Sequence, residues 1–146
     1  MTEHTKLINA LTYAGSLPFA AMMLAAWLGI AELPLIGTPT TVSLIYGAVI
    51  ASFIAGSHWG FFIADREQTG ANIAILSNCA ALLIWISVLV FPGALALSAL
   101  AVLFAGLLLV DFHLAKEGVI AERYLTLRIR ITSLVVVLLI GHVTAL

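Results

Sequence analysis

The sequence predicts an all-α membrane protein: a compact bundle of five transmembrane helices, N-terminus in and C-terminus out. Three observations lead there. Of 146 residues, 63% are hydrophobic and only 9% charged, against about 45–50% and about 25% in soluble domains, so the chain lacks the polar surface to cover a globule in water. Five apolar stretches are long enough, at about 1.5 Å per residue, to approach or cross a hydrocarbon core of about 30 Å. In that threading all six Lys and Arg residues fall at one end, which the positive-inside rule assigns to the cytoplasm.

The first span, 7–30, opens after Lys6 and carries Asn9, Thr12 and Ser16. Its 24 residues exceed the roughly 7–15 of a signal-peptide core, so it reads as a retained helix. No Arg-rich, Ser-rich transit segment precedes it, and the expected location is a bacterial inner (cytoplasmic) membrane, multi-pass. Pro18 frees a backbone carbonyl and should kink the helix, with Ser16 or Thr12 able to satisfy the freed group.

A loop with Pro34, Gly37 and Pro39 leads to the second span, 41–64. There Ala48, Ser52, Gly56, Gly60 and Ala64 recur every four residues, a small-residue stripe expected to let another helix approach closely. A polar turn at 65–70 precedes the third span, 71–90. Its Cys79, the only cysteine, cannot form an intramolecular disulfide and reads as a small buried packing residue. Phe91-Pro92-Gly93 breaks the chain before the fourth span, 94–114, and a charged loop at 115–123 precedes the fifth, 124–145. The connections are short, so consecutive helices should be antiparallel neighbours in one domain, 1–146. Trp27, Trp85 and Tyr46 fall toward the outer ends and Trp59 and Tyr124 toward the inner ends, as aromatic belts require.

Polar residues concentrate in the inner half of the spans: Asn9, Thr12, Ser16, His58, Asn78, Asp111, His113, Arg128, Arg130 and Thr132. Ionisable groups at that depth cost a few kcal/mol each on insertion scales, so they pair, face the bundle interior or snorkel. Asp111 and Arg128 flank one short loop at similar depth, and a structural ion pair between them is expected. His58 lies on the face of its helix nearly aligned with Asp65. An imidazole there serves equally as a proton relay, a quinone or metal contact, or a partner to a neighbouring carbonyl. His142, near the C-terminus, reads as an interfacial residue.

Whole classes of function drop out. A net charge of −1 gives no electrostatic footprint for nucleic acid. There is no G-x-S-x-G, P-loop or H-E-x-x-H motif, and so no catalytic residue is assigned. The only histidine near the depth of His58 is His113, about 6 Å closer to the surface by residue count, which argues against haem. No ligand spacing supports zinc, and no metal site is assigned. The paired broken helices of inverted-repeat transporters are absent.

The run Tyr46-Gly47-Ala48-Val49-Ile50-Ala51-Ser52-Phe53-Ile54-Ala55-Gly56-Ser57-His58-Trp59-Gly60 resembles the signature of the membrane family called domain of unknown function 3429, which includes the mitochondrial transmembrane protein 69. Gly15-Ser16-Leu17-Pro18-Phe19 and Tyr124-Leu125-Thr126-Leu127-Arg128, with Thr132, extend the resemblance over most of the chain. The family pattern has Trp before the Tyr where this chain has Arg123, which alters an interfacial anchor. The resemblance implies an architecture and a set of motif residues, not an activity, and it adds Trp59, Gly60 and Tyr124 to the residues of interest. Its spread across bacteria and mitochondria suggests an energy-coupling membrane.

Two kinds of function remain. The first is a non-catalytic accessory or assembly subunit that packs against other membrane proteins, respiratory ones among them, or against itself. The second is a pocket lined by His58, Trp59, Asn78, Asp111, Arg128 and Tyr124 that holds a quinone or lipid head group, with a proton or ion pathway through the same layer behind it. No cofactor is required by either.

Overall fold

The computed structural model describes residues 3–64 and 66–146, without the side chains of 4, 5 and 66–69. Six helices make five candidate spans: α1 (Glu3–Ala14), α2 (Leu17–Trp27), α3 (Pro39–Ala64), α4 (Arg66–Val90), α5 (Gly93–Lys116) and α6 (Glu122–Val143). The described residues form no strand beyond an isolated bridge between Leu33 and Gly37.

The first span is interrupted near Pro18, as the sequence leads one to expect. A turn at Gly15 and Ser16 separates α1 from α2, and Pro18 sits in the first turn of α2, where its missing N–H is harmless. Two carbonyls at the break accept side-chain donors, though neither is that of Ala14, one turn before Pro18, and Thr12 bonds Ile8 O instead. Ser16 Oγ donates to Tyr13 O at 2.7 Å and Tyr46 Oη, from α3, donates to Gly15 O at 2.9 Å. Tyr46 is therefore an internal anchor rather than an interfacial residue, and its ring packs edge-on against Phe19, with centroids 5.1 Å apart.

Residues 66–69 of the turn expected at 65–70 are a short helical piece, and the span itself runs from Gly70 to Val90, close to the expected 71–90. A break follows at Gly70, whose φ of 66° and ψ of 154° suit glycine alone. Asp65, expected to carry the His58 face to the surface, lies outside the described residues.

Helix α5 is central, packing on α3, α4 and α6. Ala96, Leu97, Leu100, Ala101, Phe104, Leu107, Val110, Asp111 and Leu114 are its buried residues, a three-and-four spacing that presents one continuous seam. Leu100 and Phe104 meet Phe19, Ala51, Ile54 and Leu139 in the main core, and Ile73, Val110, Leu114 and Ile120 form a smaller one. Helix α3 comes closest where Gly47 faces Leu100 and Phe19, and a Cβ there would collide with Leu100.

The small-residue stripe of α3 does not make this packing. Ser52, Gly56, Gly60 and Ala64 face outward, only Ala48 touches the core, and a Cβ on Gly56 or Gly60 would meet nothing within 4 Å. The packed face is the neighbouring row Gly47, Ala51, Ala55 and His58, about 100° around the helix, where Ser77 of α4 hydrogen-bonds the Ala55 carbonyl. Cys79 likewise faces outward rather than into the core.

Candidate functional site: a buried triad beneath an apolar cavity

Three helices converge near the end of the bundle that carries the basic residues. α5 brings Asp111, 1% exposed, between His58 of α3 and Arg128 of α6. Arg128 Nε donates to Asp111 Oδ2 at 2.7 Å, and His58 Nε2 lies 2.9 Å from Asp111 Oδ1. A neutral His58 protonated on Nε2 suffices as donor. Both carboxylate oxygens are thus engaged, as a buried charge demands. The expected Asp111–Arg128 contact is present, and His58 turns out to be its third member.

Arg128 connects this triad to a cavity of about 350 Å³. One wall is α1, through Ile8, Leu11 and Thr12; another is α3, through Ile50, Phe53, Ile54 and Ser57; the third is α6, from Tyr124 through Arg128 and Thr132 to Val135, with Phe104 and Gly15 completing the lining. Leu11 is 64% and Phe53 76% exposed, so the cavity opens sideways between α1 and α3, toward lipid. Among the described residues, two of this lining carry a buried side-chain atom with no hydrogen-bond partner: Arg128 Nη2 and Thr132 Oγ1. Arg128 and Thr132 are only 7% and 3% exposed. Such orphaned groups are rare and call for an explanation.

The expected pocket residues divide. Arg128 and Tyr124 line the cavity, and the Tyr124 ring stands beside Ser57, Arg128 and Asp111. His58 and Asp111 lie behind it, holding Arg128. Asn78 is not part of the site: it is exposed on α4 and its amide donates to Ala74 O at 3.1 Å. Trp59 faces outward too, edge-on to Phe62 with ring centroids 5.7 Å apart. Thr132 and Thr12 were visible as members of the polar layer but not as pocket residues, and Ser57 carried no signal in the sequence. His113 is exposed at the end of α5, and the described residues contain no group of three potential metal ligands.

A second polar cluster occupies the opposite end. His142 is fully buried, its Nδ1 3.1 Å from Ser43 Oγ and its Nε2 3.3 Å from Thr40 Oγ1. Nearby, Trp27 Nε1 donates to Gly141 O at 2.8 Å. These contacts tie the ends of α2 and α6 to the start of α3, and with both ring nitrogens engaged the cluster is a clasp.

No curated protein and no solved structure matches the chain. The profile of the family described as "Protein of unknown function (DUF3429)" matches residues 5–144, nearly the whole bundle with the triad, the helix break and the cavity. The chain belongs to that family.

Proposed function

We propose that this protein is a ligand-binding membrane protein that holds a small amphiphile in the cavity between α1, α3 and α6, its polar end on Arg128 and Thr132. The observation that carries the reading is that two residues lining a largely apolar hollow, Arg128 and Thr132, each keep a buried polar atom without a partner. A buried donor left unpaired costs about 1–3 kcal/mol, and the volume falls in the usual range of small-molecule sites, roughly 300–1,000 Å³. A quinone and a lipid head group are the two ligand chemistries in view. On the positive-inside rule the cavity lies in the inner leaflet of the membrane, which we take to be a bacterial inner membrane. Asp111 and His58 are positioning residues in this reading.

Native mass spectrometry from mild detergent tests it. The wild-type chain should carry a bound small molecule, and Leu11→Trp, which places a larger side chain at the exposed mouth, should lose it. A molecule retained in Leu11→Trp, or no bound molecule at all, counts against the reading.

The outward stripe Ser52, Gly56 and Gly60 supports a second reading, an accessory subunit packed through α3 against another membrane protein, since small residues let helix backbones approach closely in lipid. A stoichiometric protein partner in the same spectra, lost in Gly56→Leu, is its expected signature.

A further inference from the structure

We infer that the ligand of this cavity is an uncharged amphiphile presenting acceptor oxygens to Arg128 Nη2 and Thr132 Oγ1, a carbonyl chemistry shared by quinone rings and glycerol esters, and not an anionic head group. The inference rests on the reading of the cavity as a ligand site.

Hydrogen-bond roles come first. Arg128 Nη2 can only donate. Thr132 is a helical threonine, and such hydroxyls commonly return their proton to the carbonyl one turn back. Thr12 and Thr126 do so here, to Ile8 O and Glu122 O, as do Ser87 and Ser98, to Leu83 O and Ala94 O. Thr132 does not; its hydroxyl is buried and unpartnered, on a residue that lines the cavity. Residues four apart share a helix face, so α6 offers two stacked donors, and the complement is one or two acceptor oxygens.

Charge then separates the candidate acceptors. Among the described residues, Arg128 is the only basic one in the lining, and its charge is matched by Asp111, itself held by His58. A phosphate at Nη2 would stand close to the Asp111 carboxylate, which already takes up the Arg128 charge. A carbonyl needs only the donors. Depth points the same way: Arg128 and Thr132 lie six and ten residues into α6, about 9 and 15 Å along it, below the plane where phosphates sit. The remaining lining, chiefly Ile, Leu, Phe and Val, suits a ring or a glycerol backbone whose tail leaves between Leu11 and Phe53.

The test is equilibrium binding to the full chain in an ester-free maltoside detergent, with three probes: a short-tailed benzoquinone, a diacylglycerol, and dodecyl phosphate as an anion without a carbonyl. The expected result is that at least one neutral probe binds, that Leu11→Trp abolishes this binding, and that Thr132→Val weakens it about fivefold, the equivalent of one hydrogen bond. Which neutral probe binds identifies the source of the carbonyl. Thermal unfolding of Thr132→Val should be no easier than that of the wild type, which separates lost binding from lost fold. Dodecyl phosphate binding that responds to Leu11→Trp while neither neutral probe binds overturns the ligand class but leaves the cavity a ligand site. Neutral binding unaffected by Thr132→Val also overturns the inference. If no probe shows binding sensitive to Leu11→Trp, the ligand-site reading falls with it.

Discussion

Asp111 is the residue on which the site turns, because two helices reach it and neither of its oxygens is free. Removing one member of a buried ion pair strands the other, typically at about 3–5 kcal/mol. Asp111→Asn leaves the Arg128 cation in low dielectric and should lose stability in that range, whereas Arg128→Gln leaves the carboxylate with His58 and should lose less. The double variant should be milder than the sum, and unfolding in mixed micelles, read as a double-mutant cycle, measures the coupling; strict additivity would mean that the two groups do not interact. Thr132→Val should behave oppositely, leaving stability unchanged or slightly raised, since an unpaired hydroxyl is removed without loss of volume. The Asp111–Arg128 pair was legible in the sequence because the two residues flank one short hairpin loop at matched depth. The arrival of His58 depends on how α3 is rotated, and the sequence does not specify that.

At the scale of the helix, rotation is the information that an apolar span withholds. A soluble helix declares its buried face by polar residues on the other; here lipid is as apolar as the core, and both faces read alike. Asn78 and Cys79 were therefore placed inward and lie outward, and two adjacent small-residue rows on α3 could not be told apart. Helix ends are better marked. Pro18, Gly70 and Pro92 each coincide with a break or a start that the structure contains. Gly47 gives a direct test of the packed row: Gly47→Val forces side-chain atoms into Leu100 and Phe19 and should lower stability by about 1–3 kcal/mol, while Gly56→Val, facing open space, should not. The break between α1 and α2 gives another. Tyr46→Phe deprives the Gly15 carbonyl of its donor, at about 1 kcal/mol, and should appear as faster amide exchange around residues 14–18 with α5 unaffected.

For the molecule as a whole, the contacts fix which ends of the helices lie together, and the charges then orient the set. Trp27, Thr40, Ser43, Gly141 and His142 meet at one end, and the triad lies toward the other, so the five spans alternate in direction as short connections require. Every basic residue belongs to the triad's end: Lys6 ahead of most of α1, Arg66 at the start of α4, Lys116 at the end of α5, and Arg123, Arg128 and Arg130 in the first turns of α6. The opposite loops carry Glu32 alone. Retention of short basic segments on the cytoplasmic side therefore predicts the N-terminus and the 117–121 loop inside, with the 28–38 loop and the C-terminus outside. Reporter fusions after Ala31 and after Leu146 should both report the outer side, and one inserted at Gly118 the inner side. A reversed pattern would move the cavity to the outer leaflet, and a mixed one would break the pairing of ends on which the triad depends.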